Sequence, residues 1–421
     1  MTFKLSREQL LADLYQAYYD ARRHKRNKPY QLRFEADLER NLNALCDELY
    51  NRTYKPYPST CFIITDPKKR EVFAADFRDR IVHHLYYNYT HELYERTFIY
   101  DSYSCIRDRG THFGIRRLEQ HIRQESQHYT VPCYVLKMDI SGYFMHINRQ
   151  LLLSICLATL ERMSVHRILK HVPTTWQQVL DMDFVRYLTI EIVLLNPIED
   201  CRLHGSEEEW ADLPKSKSLF YSPVGCGLPI GNLTSQLFSN VYLNVLDQYV
   251  KRKLRCRHYG RYVDDFYVVS ADKEYLFEVA ERVKEMLLKQ LDLEINDGKT
   301  KVLSIWHGVD FLGAYVKPYR QYASRQMVMR MREKLLLLPQ YDSQHVQASL
   351  QSYEGVLSHG KNFLLWQNIQ AYVFGKGTVS LRNGNEMVTV LTSIGMNPSR
   401  TRNCQEIVPI PKVYQGYTKG R

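Results

Sequence analysis

From Ser6 onward, apolar side chains recur every three to four positions. Leu10, Leu14 and Tyr18 form one row, with Leu11 and Tyr15 beside it, which predicts a helix over residues 6–26 that ends in the basic run at 23–26. Ser6 followed by Gln9 has capping-box spacing, so the start of that helix is marked as well. A second helix is expected over 31–50, with Pro56 and Pro58 breaking the pattern behind it. CFIIT at 61–65 reads as a strand, 66–70 as a basic turn, and 76–95 as helix again.

The pattern changes at residue 134. YVLKMDI over 134–140 is short, apolar and rich in β-branched and aromatic residues, as in a buried strand, and it ends in an aspartate. A helix is expected over 148–162, a mixed polar stretch over 165–222, and a glycine-rich loop leading into a long helix over 225–254. Residues 257–271 read as two strands around an acidic turn, 273–290 as helix, 291–316 as short strands and 325–375 as helical. The last 20 residues carry Pro, Gly and Lys and are expected to be loosely held. From 134 to 303 this order is a βαββαβ-like arrangement, which brings carboxylates from different strands together.

A hydrophobic content of 44% over 421 residues argues for a large core and against disorder. The net charge of +11 adds a polyanionic partner to the picture. Its basic clusters recur at 22–28, 68–70, 107–117, 251–257 and 299–301, a spread that suits a long groove better than a single arm. Aromatics interleaved with cations can stack on bases, but tyrosine also fills cores and half-buried surfaces, which explains most of the 32 tyrosines. The 9 cysteines lie far apart with no CxxC pair, which excludes a disulfide framework and a zinc finger and points to reduced thiols in a cytoplasmic protein. The amphipathic start is not a signal peptide, and no run of 18 apolar residues spans a membrane.

The chemistry concentrates in Tyr262-Val263-Asp264-Asp265. Adjacent aspartates on a tight turn between apolar strands are costly unless a divalent cation neutralises them. Asp139, at the end of the earlier strand, supplies a carboxylate to the same place. Metals clamped between such carboxylates activate a 3′-hydroxyl and stabilise a leaving pyrophosphate. The alternatives for these residues are an ordinary acidic hairpin turn and, for Asp139, a helix cap.

At this point the chain resembles the reverse transcriptases over roughly 55–320. LKMDISGYF (136–144) is similar to the family's first metal-binding motif, GLPIGNLTSQ (227–236) to its nucleotide-pocket loop and YVDD to its catalytic turn. GKT (298–300) resembles the lysine motif that follows, and FLGAYV (311–316) the strand that grips the primer. The resemblance implies an α+β right-hand polymerase with fingers, an antiparallel βαββαβ-like palm and a helical thumb. It also implies two Mg2+ ions per site, a template RNA and its cDNA as partners, and no membrane. In domains it implies an N-terminal helical extension at 1–60, fingers at 61–133, a palm at 134–320 with an insertion at 165–222, and thumb and tail at 321–421. Catalysis and metal binding would fall to Asp139, Asp264 and Asp265, with Ile140 beside them. Nucleotide binding would fall to Lys69, Arg70, Arg78, Arg80, Phe144, Ile230, Gly231, Gln236 and Lys299. In this set Phe144 would block a 2′-hydroxyl and Lys299 would stand near the triphosphate. Arg107 and Arg109 would contact the template backbone.

The subfamily is also marked. Where most reverse transcriptases carry Gln-Gly and Ser-Pro in the pocket loop, this chain has Ile230-Gly231 and Ser235-Gln236. Together with KSLF at 217–220 and SNVYLNVLDQYVK at 239–251, this resembles the enzymes of diversity-generating retroelements. Those enzymes make cDNA with errors concentrated at adenines and work with a small basic accessory protein. Competing expectations are a retron, group II intron or defence-associated reverse transcriptase, and a non-catalytic RNA-binding protein on the same scaffold. Intact aspartates argue against the latter. Bulky Phe144 argues against an RNA-dependent RNA polymerase.

Overall fold

The computed structural model describes residues 3–23, 28–65, 68–337, 343–367, 380–383 and 386–389. The chain divides into two compact units, residues 1–321 and 322–421.

The first unit opens with α1 (Arg7–Arg22), whose Ser6–Gln9 capping box is formed as expected. The single helix expected over 31–50 is two, α2 (Pro29–Glu35) and α3 (Leu38–Tyr50). The break falls at Asp37, whose φ of −137° and ψ of 54° are not helical. Next come β1 (Ser59–Ile64), β2 (Arg70–Ala74) and α4 (Phe77–Glu95), the last capped by the Asp76 carboxylate. Leu10, Leu14 and Ala17 of α1, Leu42 and Leu45 of α3, and Ile81 and Leu85 of α4 join one continuous core.

Helix α5 (Thr111–Glu125), for which no element was expected although Ile115, Leu118 and Ile122 share one face, is followed by β3 (Tyr134–Asp139), the one-turn α6 (Tyr143–His146) and α7 (Arg149–Ser164). The polar stretch at 165–222 holds α8 (Met182–Leu194), β4 (Cys201–His204) and the short α9 (Glu207–Trp210). It is not a detached insertion, because β4 pairs in parallel with β1 and completes the sheet β2–β1–β4. Helix α10 (Leu233–Gln248) ends in a π-turn over Tyr249–Lys253. The hairpin β5 (His258–Tyr262) and β6 (Asp265–Ser270), α11 (Lys273–Leu291) and β7 (Lys301–Ser304) then complete the central sheet. A second hairpin, β8 (Val309–Phe311) and β9 (Ala314–Lys317), follows.

The central sheet runs β5–β6–β3–β7, antiparallel throughout. Its connections β3–α7–β5–β6–α11–β7 realise the βαββαβ-like palm of a right-hand polymerase fold. Side chains alternate across it with the two-residue strand period. Leu136, Met138, Phe266 and Val268 face α11 and the main core, while Val135, Tyr267 and Val269 face α5 and β8–β9. A sheet covered on both faces holds its ends rigidly, and the aspartates sit at one end.

The second unit contains α12 (Arg325–Leu337) and α13 (Ser343–Leu357), with Met331, Leu357 and Trp366 buried together. Residues 368–375, within the expected helical stretch, and the C-terminal tail lie outside the described residues. Among the described residues no helix is long and apolar enough to cross a membrane. The eight cysteines described are all free thiols, most of them buried.

Candidate active site

Strand β3 delivers Asp139 to the end of the sheet, where the antiparallel register sets it opposite Asp265, the first residue of β6. Tyr262 also pairs with Asp265, so Val263 and Asp264 alone make the hairpin turn. Val263 adopts φ +54°. A left-handed β-branched residue costs on the order of 1–3 kcal/mol and persists only where its surroundings hold it.

The three carboxylates are crowded. Burial first, then the charge of Asp139, pushes Asp264 up to about 6. Burial also takes Asp265 up to about 6, against the pull of Lys137, whose Nζ lies 3.3 Å from Asp265 Oδ2. Asp265 Oδ1 is buried and has no hydrogen-bond partner. Lys299 Nζ donates to Asp139 Oδ2 at 2.5 Å, and this bond raises the lysine above its ordinary value. Among the described residues no three acidic, His or Cys side chains already form a closed metal cage. The donor set nevertheless fits magnesium. It is all oxygen, it carries more negative charge than its two lysines balance, and it keeps one buried lone-pair atom unpaired. Ile140 buries its side chain in the core, so only its backbone could serve a cation.

The pocket loop is seated against β2. Phe73 N donates to Ile230 O at 2.8 Å. Gly231 has φ +130°, and a Cβ there would lie 2.5 Å from Phe73 O, so the close approach of loop and strand requires glycine. Ile230 and Phe144 rest on one small cluster of Cys61, Phe73, Met145 and Leu219. The structure thus brings together two residues 86 positions apart that were both expected in the nucleotide pocket. Leu219 belongs to the supposed insertion and is fixed there by Glu71, which is buried and accepts from Ser218 Oγ at 2.7 Å and Leu219 N at 2.8 Å. Gln236 is exposed on α10 and accepts from Cys105 Sγ at 3.3 Å.

The expected phosphate-gripping cations are more scattered. Lys69 donates to Ala211 O. Arg70 is half-buried on β2. Arg78 is buried, ion-paired with Glu48 and stacked 4.4 Å from the Tyr57 ring, and so serves the packing of α4. Arg80 donates to Ala75 O at 2.8 Å and lies over Tyr30. Of the two residues expected at the template, Arg109 clamps Ile99 O and Ser102 O at 3.1 and 2.9 Å, whereas Arg107 is exposed.

Sequence reasoning passed over two cations. Lys137 stands two residues before Asp139, on the same strand face by the two-residue period, and that spacing could have marked it. Arg261 stands two residues before Val263 and is fully buried against Asp247 of α10. β5 reads His-Tyr-Gly-Arg-Tyr, so nothing in its local pattern marked this arginine as buried.

The family described as reverse transcriptase (RNA-dependent DNA polymerase) matches residues 67–316 of the chain. Protein YkfC of Escherichia coli (strain K12) is 24% identical over 351 residues, which cover 75% of this chain and 80% of that protein. Among solved structures the chain is similar to a C-terminally truncated apo telomerase from Candida tropicalis, with a TM-score of 0.44, 10% identity, and 63% of this chain and 55% of that one covered. It is also similar to telomerase from Candida albicans in complex with a TWJ fragment of telomeric RNA, with a TM-score of 0.40, 11% identity, and 68% of this chain and 52% of that one covered. The chain thus spans little more than half the length of those telomerase chains.

Proposed function

We propose that this chain, which belongs to the reverse transcriptase family, copies a template RNA into error-prone cDNA for targeted diversification of a gene. The observation that carries the diversifying part is Ile230. An aliphatic side chain stands where the wider family offers a glutamine amide, and it shares an apolar cluster with Phe144. A wall without donors or acceptors distinguishes base pairs by shape alone.

In this reading Asp139, Asp264 and Asp265 would hold magnesium, with the backbone of Ile140 beside them. When bound, the metal supplies Lewis-acid activation of the primer 3′-hydroxyl and neutralises charge on the leaving pyrophosphate. The chain's own side chains do the rest. Lys299, half-exposed, holds Asp139 until a triphosphate offers it a stronger anionic partner. Phe144 leaves no room for a 2′-hydroxyl. Lys69, Arg70 and Arg80 would grip the triphosphate, while Arg78, paired with Glu48, holds α4. Residues 61–133 act as fingers, 134–320 as palm and 321–421 as thumb. A small basic accessory protein is the expected partner. The fully exposed Arg107 contacts the template backbone, and Arg109 shapes the loop that presents it.

Primer extension on an RNA template rich in all four bases, followed by sequencing of the cDNA, tests this reading. Extension with errors concentrated opposite template adenines is expected. Uniform, rare errors would remove the diversifying role, and absence of extension would remove the polymerase assignment.

A further inference from the structure

Arg261 has five N–H donors, and in this fold each finds an acceptor. Nε and Nη2 bind Asp247 Oδ1 and Oδ2 at 2.8 and 2.7 Å. Nη2 also reaches Ser102 Oγ at 3.3 Å. Nη1 reaches Asn240 Oδ1 at 3.2 Å and the carbonyl oxygen of Val263 at 3.0 Å. Neither member of the Arg261–Asp247 pair is exposed at all. Tyr259, two residues earlier on the same strand face, donates its hydroxyl to Asp247 Oδ1 at 2.7 Å. Gly260 faces the other way, where a Cβ would lie 2.1 Å from Tyr103 Oη. The arginine backbone is engaged too: its N–H donates to Asp101 O and its carbonyl accepts from Tyr103 N, both at 2.9 Å. Asn240 completes the set by donating to Ser104 O at 2.8 Å.

A buried ion pair gives little net stability, since desolvating both charges offsets their attraction, and well-packed apolar residues commonly replace one at no loss. Among the contacts that apolar residues could not reproduce, the one that reaches the acidic turn is the bond to Val263 O. That carbonyl belongs to the peptide joining Val263 to Asp264. A peptide is planar, so fixing its oxygen fixes the direction in which the Asp264 backbone leaves the turn. The residue it holds is the one at φ +54°. Val263 would relax from this conformation if it were not held.

The geometry points to Arg261 as a positioning residue: anchored on Asp247 of the pocket helix, it clamps the Val263 carbonyl, holds the strained turn and so sets Asp264 for cation binding. The same side chain joins the turn to the 101–104 loop through Ser102. Its kinetic consequence rests on the polymerase reading above, but its effect on cation binding does not.

The test is Arg261→Lys in the full chain, alone and with Val263→Gly. Lysine keeps the charge and can pair with Asp247, but one ammonium cannot span both Asp247 and the Val263 carbonyl. Mn2+ binding by calorimetry, RNA affinity, and the kcat and KM of primer extension are measured on folded protein. Arg261→Lys should weaken Mn2+ binding and lower kcat roughly 10- to 100-fold, the usual scale for groups that orient metal ligands, with KM and RNA affinity unchanged. Val263→Gly should restore a large part of both, because glycine takes a positive φ without strain. Wild-type Mn2+ binding in Arg261→Lys, or no restoration by Val263→Gly, overturns the proposal. If Arg261→Lys does not fold, the apolar pair Arg261→Met with Asp247→Leu is read the same way: folded with wild-type Mn2+ affinity overturns it, folded with weakened affinity supports it. If neither folds, the role is purely structural and the proposal falls. A wild type that binds Mn2+ yet extends no primer would defeat the functional reading and leave this one standing.

Discussion

The β5–β6 hairpin carries two clusters of buried charge that are built on opposite rules. Around Arg261, one cation and one carboxylate are fully enclosed and every donor has its acceptor. At the turn three residues on, the carboxylates of Asp139, Asp264 and Asp265 crowd together against Lys137 and Lys299, and Asp265 Oδ1 is left without a partner. The first cluster is neutral and closed. The second is acidic and incomplete, and burial and crowding push the carboxyls of Asp264 and Asp265 up to about 6. Charge that holds a backbone in place is balanced where it stands, whereas charge placed to receive a cation is left short of a partner.

That contrast predicts opposite outcomes for two aspartate substitutions. Asp264→Asn should abolish primer extension while the thermal midpoint stays level or rises, because it removes one of several crowded like charges. A folded mutant with near-wild-type extension would refute the site assignment. Asp247→Ala should do the reverse to stability. It leaves the Arg261 guanidinium buried and unpaired, which costs about 3–5 kcal/mol, measured as a loss in denaturant unfolding of the first unit. A midpoint equal to that of Asp264→Asn would erase the distinction between the clusters.

The next effect is on substrate choice. Phe144→Ala should let the enzyme accept ribonucleotides by removing the bulk proposed to exclude a 2′-hydroxyl. Unchanged discrimination between ribo- and deoxynucleotides in single-nucleotide extension would leave Phe144 as an ordinary packing residue.

The open cluster was legible in the sequence, and the closed one was not. Asp264 and Asp265 on a turn between apolar runs, and Asp139 at a strand end, mark themselves because carboxylates without local partners stand out from an apolar pattern. The succession of strands and helices that builds the central sheet followed from the apolar runs, but the spatial order β5–β6–β3–β7 did not. Arg261 and Asp247 are 14 residues apart and meet only after α10 packs on the sheet, so neither neighbour in sequence announces the other. The stretch at 165–222 was opaque for a related reason. Its strand β4 has three of four residues exposed and pairs with β1 more than 130 residues away, so no local period betrays it. The cation motif after β1 was only partly informative. Arg78 and Arg80 have the charge expected of triphosphate contacts, but tertiary partners such as Glu48 and the Ala75 carbonyl decide where those charges point.

The smallest expected effect concerns Ile230, and it sharpens the comparison by adding a partner where the pocket now has none. Ile230 packs on the cluster of Cys61, Phe73, Met145 and Leu219, and its backbone carbonyl is already taken by Phe73 N. If it lines the nucleotide pocket as proposed, the side chain offers an incoming base pair bulk and nothing directional. A glutamine in its place brings two donors and an acceptor, whose bonds form with a well-seated pair and are lost with a misfit. A hydrophobic wall separates similar shapes by only about 1–3 kcal/mol, and a polar site separates them by more. Ile230→Gln should therefore lower the error rate, most visibly opposite template adenine, with total extension little changed. Sequencing cDNA made by both proteins on one template checks this. Equal error rates opposite adenine would remove Ile230 from the explanation of infidelity and leave the aspartate cluster, and the polymerase assignment it supports, untouched.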